Sequence, residues 1–284
     1  MSRQQRRRLD NALVSRGLAE SRPHAIELMN ANRVLVDGAI ANNPARLVGV
    51  GQALEVKGPP PRFVSRAGEK LAHGLEVFGV DPAGLRCLDA GSSTGGFTDC
   101  LLQHGAAQVW AVDVGTNQLH ERVRKDARVV VKEQTDIRSV RLDDTQEPFD
   151  LIVVDVSFIS IGSVFGALTD LIKPLAPIIG LVKPQFEVTK QEASRGSGVI
   201  TDPSLWARVL GEVVEMGGEL GWRLDGLTVS PITGAKGNVE FVTCWRQGAS
   251  NLEIVDDGCS SGSSHRMIAD LIHQAVAEAE ARVS

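Results

Sequence analysis

The chain has little of what anchors a protein in a membrane, holds a metal or staples a secreted fold. Nowhere in its 284 residues does an apolar run reach the length of a membrane span. Arg3, Arg6, Arg7 and Arg8 lead into no apolar core of the kind a signal peptide needs, so neither export nor stable membrane association is expected. The six histidines are scattered, and no metal site is expected. Cys87, Cys100, Cys244 and Cys259 show no C-x-x-C spacing and read as free thiols, mostly buried, in a reducing, cytoplasmic compartment.

What is present is an ordinary globular composition, 43% hydrophobic and 23% charged, long enough for one large α/β domain and a small one. The net charge of −5 hides an asymmetry. Residues 1–70 hold 12 Lys and Arg against 6 Asp and Glu, or +6; the remainder holds 18 against 29, or −11. A basic domain joined to an acidic one suggests that the first part meets a polyanion.

The rest of the chain is organised around Leu88-Asp89-Ala90-Gly91-Ser92-Ser93-Thr94-Gly95-Gly96-Phe97. A short apolar run precedes it, and Phe97, Cys100, Leu101 and Leu102 follow at helical spacing. Strand, glycine-rich turn and helix together hold nucleotide-like ligands at the carboxyl edge of a parallel sheet. A P-loop is excluded because Phe97 stands where lysine must be, and the glycines do not fit G-x-G-x-x-G. Asp89 before the turn would repel a pyrophosphate and suits a ligand carrying an ammonium or sulfonium. A second strand, Gln108 to Val112, ends at Asp113, a carboxylate placed to hold both hydroxyls of a ribose. The pair resembles the S-adenosylmethionine site of Rossmann-like methyltransferases. That resemblance implies a cofactor set of Asp89, Gly91, Ser92, Gly95, Gly96, Phe97, Asp113 and, for the adenine amino group, Asp136.

Residues 9–57 have their own pattern. Leu9, Leu13 and Val14 form one apolar stripe and Ala25, Ile26, Leu28 and Met29 another. Arg33 to Gly38 reads as a strand entering an Asp-Gly turn, and Gly51 to Val56 as a further strand. Two short helices and a hairpin resemble the S-four type of RNA-binding domain, with Arg6, Arg7, Arg16, Arg22 and Arg33 as the implied RNA contacts. The expected division is 1–58 for this domain, 59–65 for a stiff proline-bearing linker, 66–247 for the larger domain, and 248–284 for a flexible stretch (Gly248 to Ser264) and a helix (Met267 to Ala281) with no assigned role.

Along the larger domain, a helix from about Arg66 to Phe78 carries Lys70 early, near the ligand edge. Buried strands end at Asp155 and Lys183, residues 185–201 read as a mobile polar loop, and Glu240 opens the last strand. With that strand antiparallel, Lys70, Asp155, Lys183 and Glu240 converge on one edge. The set, with V-K-P-Q-F-E and N-V-E-F, looks like the FtsJ-type ribose methyltransferases; with the basic domain attached, the chain is similar to the TlyA family of ribosomal RNA 2′-O-methyltransferases, also labelled haemolysins. The resemblance implies an α/β fold with a seven-stranded mixed sheet and a small α+β domain. It also implies S-adenosylmethionine as cofactor, no metal, and cytidines of ribosomal RNA or ribosomal subunits as partners. A lysine flanked by carboxylates can orient a ribose hydroxyl and, with a lowered pKa, accept its proton. Lys183 takes that role, Asp155 orients it, and Lys70 and Glu240 complete the network. Two alternatives remain open at this point: a membrane-active cytolysin, and an RNA-binding protein with an inactive methyltransferase fold.

Overall fold

The computed structural model describes residues 6–19, 22–58, 61–196, 198–248 and 261–283. Two units divide the chain, Met1–Pro60 and Pro61–Ser284.

In the smaller unit β1 (Arg7–Arg8) leads into α1 (Leu9–Ser15) and α2 (Arg22–Asn30), followed by β2 (Val34–Val36), β3 (Ala39–Ile40), β4 (Leu47–Val48) and β5 (Leu54–Val56). Strand β2 pairs with β3 and β5, and β1 with β4, all antiparallel. Asp37 and Gly38, with φ of 53° and 81°, form the two-residue turn between β2 and β3. The helical stripes meet the strands in a core of Leu9, Leu13, Ala25, Leu28, Met29, Val34 and Val36.

Three of the five arginines expected at RNA spend donors on their own fold. Arg16 ties down the 49–52 turn through the carbonyls of Gln52 (2.7 Å) and Gly49 (3.0 Å). Arg22 donates to Asp10 Oδ2 at 2.9 Å, and Arg33 to the Lys57 carbonyl at 2.6 Å. Asp10 has no exposed surface; Arg8 and then Arg22 hold its carboxyl well below the usual range. A guanidinium has five donors, so these residues can still touch a phosphate, but they are structural first. Arg6 and Arg7 are exposed, with no side-chain partner among the described residues.

The larger unit starts with α3 (Ala67–Phe78) and alternates strand and helix: β6 (Arg86–Ala90), α4 (Gly96–Gln103), β7 (Gln108–Val112), α5 (Glu121–Arg124), β8 (Val129–Lys132), α6 (Leu142–Thr145), β9 (Leu151–Val154), α7 (Gly162–Leu168) and β10 (Ile178–Val182). Then come α8 (Pro184–Glu187), α9 (Lys190–Arg195), α10 (Pro203–Glu219), β11 (Trp222–Val229), β12 (Phe241–Gln247) and α11 (Ser261–Val283). The seven strands lie in the order β11-β12-β10-β9-β6-β7-β8, and β12 alone runs against the others.

Because side chains alternate along a strand, each β-strand feeds both faces. Leu88, Ala90, Ile152 and Val154 join the core under α7 and α10; Cys87, Leu151 and Val153 join the one under α3 and α4. Coverage on both faces explains the unbroken apolar runs in the sequence. The chain order reverses between β6 and β9, so a crevice opens beyond their carboxyl ends.

Three expectations about the connections change. Residues 185–201 are not simply a loop: Pro184 starts α8, and α9 begins with a capping box between Thr189 and Glu192. Phe63, assigned to the linker, is a core residue at 2% exposure, and the Val64 amide donates to Asp99 Oδ2 at 2.9 Å. An aromatic side chain with a pocket to fill is drawn into the fold it precedes; Pro59 and Pro60 lie outside the described residues. Helix α11 begins at Ser261, ahead of the expected Met267, and buries Ala275, Val276 and Ala279 in the main core. Residues 249–260 of the expected flexible stretch lie outside the described residues.

Candidate active site

The glycine turn is built against its neighbours. Gly91 has φ +90°, and a Cβ there would stand 2.7 Å from the carbonyl oxygen of Asp155. Only glycine lets the turn lie this close to the exit of β9. The amides of Gly91 and Ser92 donate to the Val112 carbonyl at 2.9 and 3.1 Å, tying the turn to β7. Asp113, one residue past β7, accepts from the Ser93 amide at 2.8 Å and the Gly115 amide at 2.7 Å. Its carboxylate is therefore fixed before any ligand arrives.

Beside this turn is a cavity of about 370 Å³, walled by Gly91, Ser93, Asp113, Gln118, Asp136, Asp155, Ser157 and Phe158 among others. Of the expected cofactor residues, Gly91, Asp113 and Asp136 line it. The carboxylate of Asp136 is held by Arg138 (Nη2 at 2.6 Å), whose hydrogen bond lowers its pKa.

Asp89, Ser92, Gly95, Gly96 and Phe97 do not line the cavity. Ser92 is buried inside the turn, Gly95 is the N-cap of α4, and Gly96 lies beneath Ala67. Phe97 points into the core with Phe63 and Leu71, because the first turn of α4 must bury an apolar side against α3. Asp89 is fully buried: Thr98 donates to its Oδ2 at 2.6 Å, while Oδ1 has no partner. Burial pushes its carboxyl up to about 7; Thr98 opposes this, and the charges of Asp155 and Asp113 add to it. Asp113 and Asp155 thus put negative charge beside the turn and make it attractive to a cation.

The other four expected residues meet at the same edge in two pairs. Lys70, in the first turns of α3, forms a buried ion pair with Glu240. Val182 pairs with Phe241, so Lys183 and Glu240 occupy the next positions beyond the β10–β12 ladder. Lys183 is 2.5 Å from Asp155 Oδ1 and donates to the Val156 carbonyl (2.9 Å) and Ser157 Oγ (3.1 Å). The Asp155 contact is a charge contact without hydrogen-bond alignment; the aligned donors go to the other two oxygens. Asp155 belongs to both features: it pairs with Lys183 and lines the cavity.

Sequence reasoning missed Phe158. Its ring is 87% exposed at the cavity rim on a residue with φ +68°, a conformation costly for a bulky side chain. It leans on Phe186 (centroids 5.1 Å apart, 48° between planes), whose ring lies 5.9 Å from Lys183 Nζ. Glu187 was also passed over. Its half-buried carboxylate, with pKa raised by that burial, accepts the Ile161 amide at 2.9 Å and so ties the segment after Lys183 to the one after Phe158. The motif F-E directly after V-K-P-Q is the available signal for Phe186 and Glu187; an isolated phenylalanine between Ser157 and Ile159 offers none.

Comparison with known proteins agrees with this geometry. The FtsJ-like methyltransferase family matches residues 63–247, and the S4 domain matches residues 7–54. The 16S/23S rRNA (cytidine-2′-O)-methyltransferase TlyA of Mycobacterium tuberculosis is 43% identical over 274 residues, covering 96% of this chain and 98% of its own. The chain belongs to the TlyA family. A second family member, the 23S rRNA (cytidine-2′-O)-methyltransferase TlyA of Campylobacter jejuni, is 35% identical over 80% of this chain and 95% of its own. Among solved structures, one from Streptococcus thermophilus described as a candidate hemolysin superposes with a TM-score of 0.72 at 34% identity over 98% of both chains. No helix among the described residues is long and apolar enough to cross a membrane.

Proposed function

We propose that this protein transfers the methyl group of S-adenosylmethionine to a ribose 2′-hydroxyl of a cytidine in ribosomal RNA. The observation that carries this reading is the Lys183–Asp155 pair, whose Asp155 lines the cavity beside the glycine turn. The residues present fit the cofactor. Asp113 offers a fixed carboxylate to ribose hydroxyls, Asp136 stands further along the wall, and the carboxylates of Asp113 and Asp155 on that wall favour a sulfonium. When bound, the cofactor supplies an electrophilic methyl group.

The chain's own residues must then turn a weak nucleophile into a strong one. A hydroxyl must lose its proton as it attacks; Lys183 receives it when its Nζ is a free amine and becomes the ammonium that Asp155 balances. Asp155, Val156 and Ser157 hold Nζ in place, so little reorganisation is needed at the moment of transfer. The buried Lys70–Glu240 pair fixes the neighbouring end of the β10–β12 ladder. The exposed ring of Phe158 gives an unstacked base a face on which to lie. Arg6 and Arg7 of the smaller unit are free to meet phosphates.

Mapping 2′-O-methyl groups on ribosomal RNA with and without the protein tests the reading. One or more cytidines should gain the mark, and a substrate with a 2′-deoxy target should gain none. Methyl on that deoxy substrate would mean a base atom is the acceptor.

A further inference from the structure

Helix α11 lies beyond the matched methyltransferase segment, yet it reaches the catalytic edge. Its buried face of Ala275, Val276 and Ala279 packs on α10 and β11. Near its end, Arg282 Nη1 donates to the carbonyl oxygen of Ser230 at 2.6 Å, and Nη2 pairs with Glu278 Oε1 at 2.5 Å, one turn back. Ser230 is the first residue after β11, and its amide donates to the Glu240 carbonyl at 2.8 Å. That bond continues the β11–β12 ladder one step beyond Val229–Phe241. Glu240 is 3% exposed and carries the ion pair with Lys70. Its carboxylate also presses on Gly234, where any side chain would collide with it.

We infer that Arg282 is a positioning residue for methyl transfer: through Ser230 it fixes the ladder step that aims Glu240 at Lys70. The inference rests on reading the Lys70–Glu240 pair as part of the catalytic edge. The physical argument is one of attachment. The end of a strand frays unless its last groups are bonded, and here the bond comes from a rigid helix seated in the core. The guanidinium is itself held by Glu278, so its fork is oriented before it meets Ser230. Loss of the bond lets the 230–240 segment relax, and small misplacements at a reacting edge are expensive; about 1 Å can cost on the order of 10²-fold in rate.

The test uses the full-length protein, single-turnover methyl transfer to ribosomal RNA, cofactor titration and thermal melting. Arg282→Ala should lower the single-turnover rate on the order of 10-fold, within that range, with cofactor affinity unchanged. Arg282→Lys should recover most of the loss, since an ammonium can still donate to one carbonyl. A lower melting temperature with the rate per folded molecule unchanged would make Arg282 merely structural and overturn the inference. Should Arg282→Ala fail to fold, Glu278→Gln carries the test by releasing the guanidinium from its helix neighbour: a slower rate supports the inference and an unchanged one overturns it. Glu240→Gln separates this from the underlying reading. If it is impaired while Arg282→Ala is not, only the inference falls. If Glu240→Gln is fully active, the catalytic reading of the pair falls, and the inference with it.

Discussion

Two lysine–carboxylate pairs close the same edge of one sheet, and they are built differently. Lys70 and Glu240 pair with each other, with side chains 10% and 3% exposed. Lys183 has three oxygens around it and a carboxylate partner that also forms part of a cavity wall. The first is a closed pair whose charges satisfy each other. The second is open at its carboxylate: Asp155 is 16% exposed and lines the cavity, although Lys183 itself is 8% exposed. A sequence presents both as lysine plus acid; the difference between fastener and reagent lies in what stands on the fourth side.

The most damaging way to break this contrast is at the open pair. Lys183→Ala should lose on the order of 10²- to 10⁴-fold in methyl-transfer rate, with cofactor and RNA affinities little changed. Lys183→Arg should rescue poorly, because arginine does not readily give up a proton. A single-turnover assay that finds arginine nearly as fast as lysine would show that the charge steers the hydroxyl and does not take its proton.

At the closed pair the damage should appear in stability as well as in rate. Glu240→Ala strands a buried ammonium, at a cost of about 3–5 kcal/mol, whereas replacing both members with apolar residues of similar volume should recover much of it. Urea unfolding of the single and double variants measures this; equal losses in both would mean the pair is not closed.

Asp113 lines the cavity like Asp155, and in the proposed reading it holds the cofactor. Asp113→Ala removes charged hydrogen bonds worth about 1.5–3 kcal/mol and should weaken S-adenosylmethionine binding on the order of 10- to 100-fold, while RNA binding persists. Unchanged affinity by calorimetry would remove Asp113 from the site.

The smallest effect sharpens the same contrast between two fully buried aspartates. Asp10 is closed by Arg8 and Arg22, and its pKa is lowered. It therefore contributes stability above the ordinary carboxylate range that is lost as pH falls through and below that range. Asp89 has one hydroxyl partner and a pKa raised to about 7. Its contribution is present in acid, below its ordinary value of 3.8, and is lost as pH rises through about 7. Between those limits the slope is at most about 1.4 kcal/mol per pH unit for one proton. Asp89→Asn should flatten that part of the stability–pH curve and leave the acid limb, where Asp10 acts, in place.

Much of this arrangement was legible in the chain. Runs such as Leu151-Ile152-Val153-Val154 are apolar throughout because both faces of the sheet are covered, and the charged residue after each marks where it meets solvent or ligand. That logic placed Asp155, Lys183 and Glu240 at one edge. It failed where orientation depends on a neighbour far along the chain. Phe97 follows a glycine turn and could face either way until α3 packs on it. Arg16 and Arg33 look like surface cations until the carbonyls of Gln52 and Lys57 fold next to them. The capping box from Thr189 to Glu192 marks the start of α9 in the sequence, against the polar, glycine-bearing composition of 185–201 that reads as loop.

The close approach at Gly91 has a consequence for heredity. A side chain there would strike the carbonyl oxygen of Asp155, and every amino acid carries that same oxygen. When two side chains compete for space, a second mutation can shrink one of them and restore the fit. Here the obstructing atom cannot be mutated away. A screen for suppressors of Gly91→Ala should therefore return reversion at position 91 and nothing at 155, and the two positions should show no compensating exchange as the family diverges.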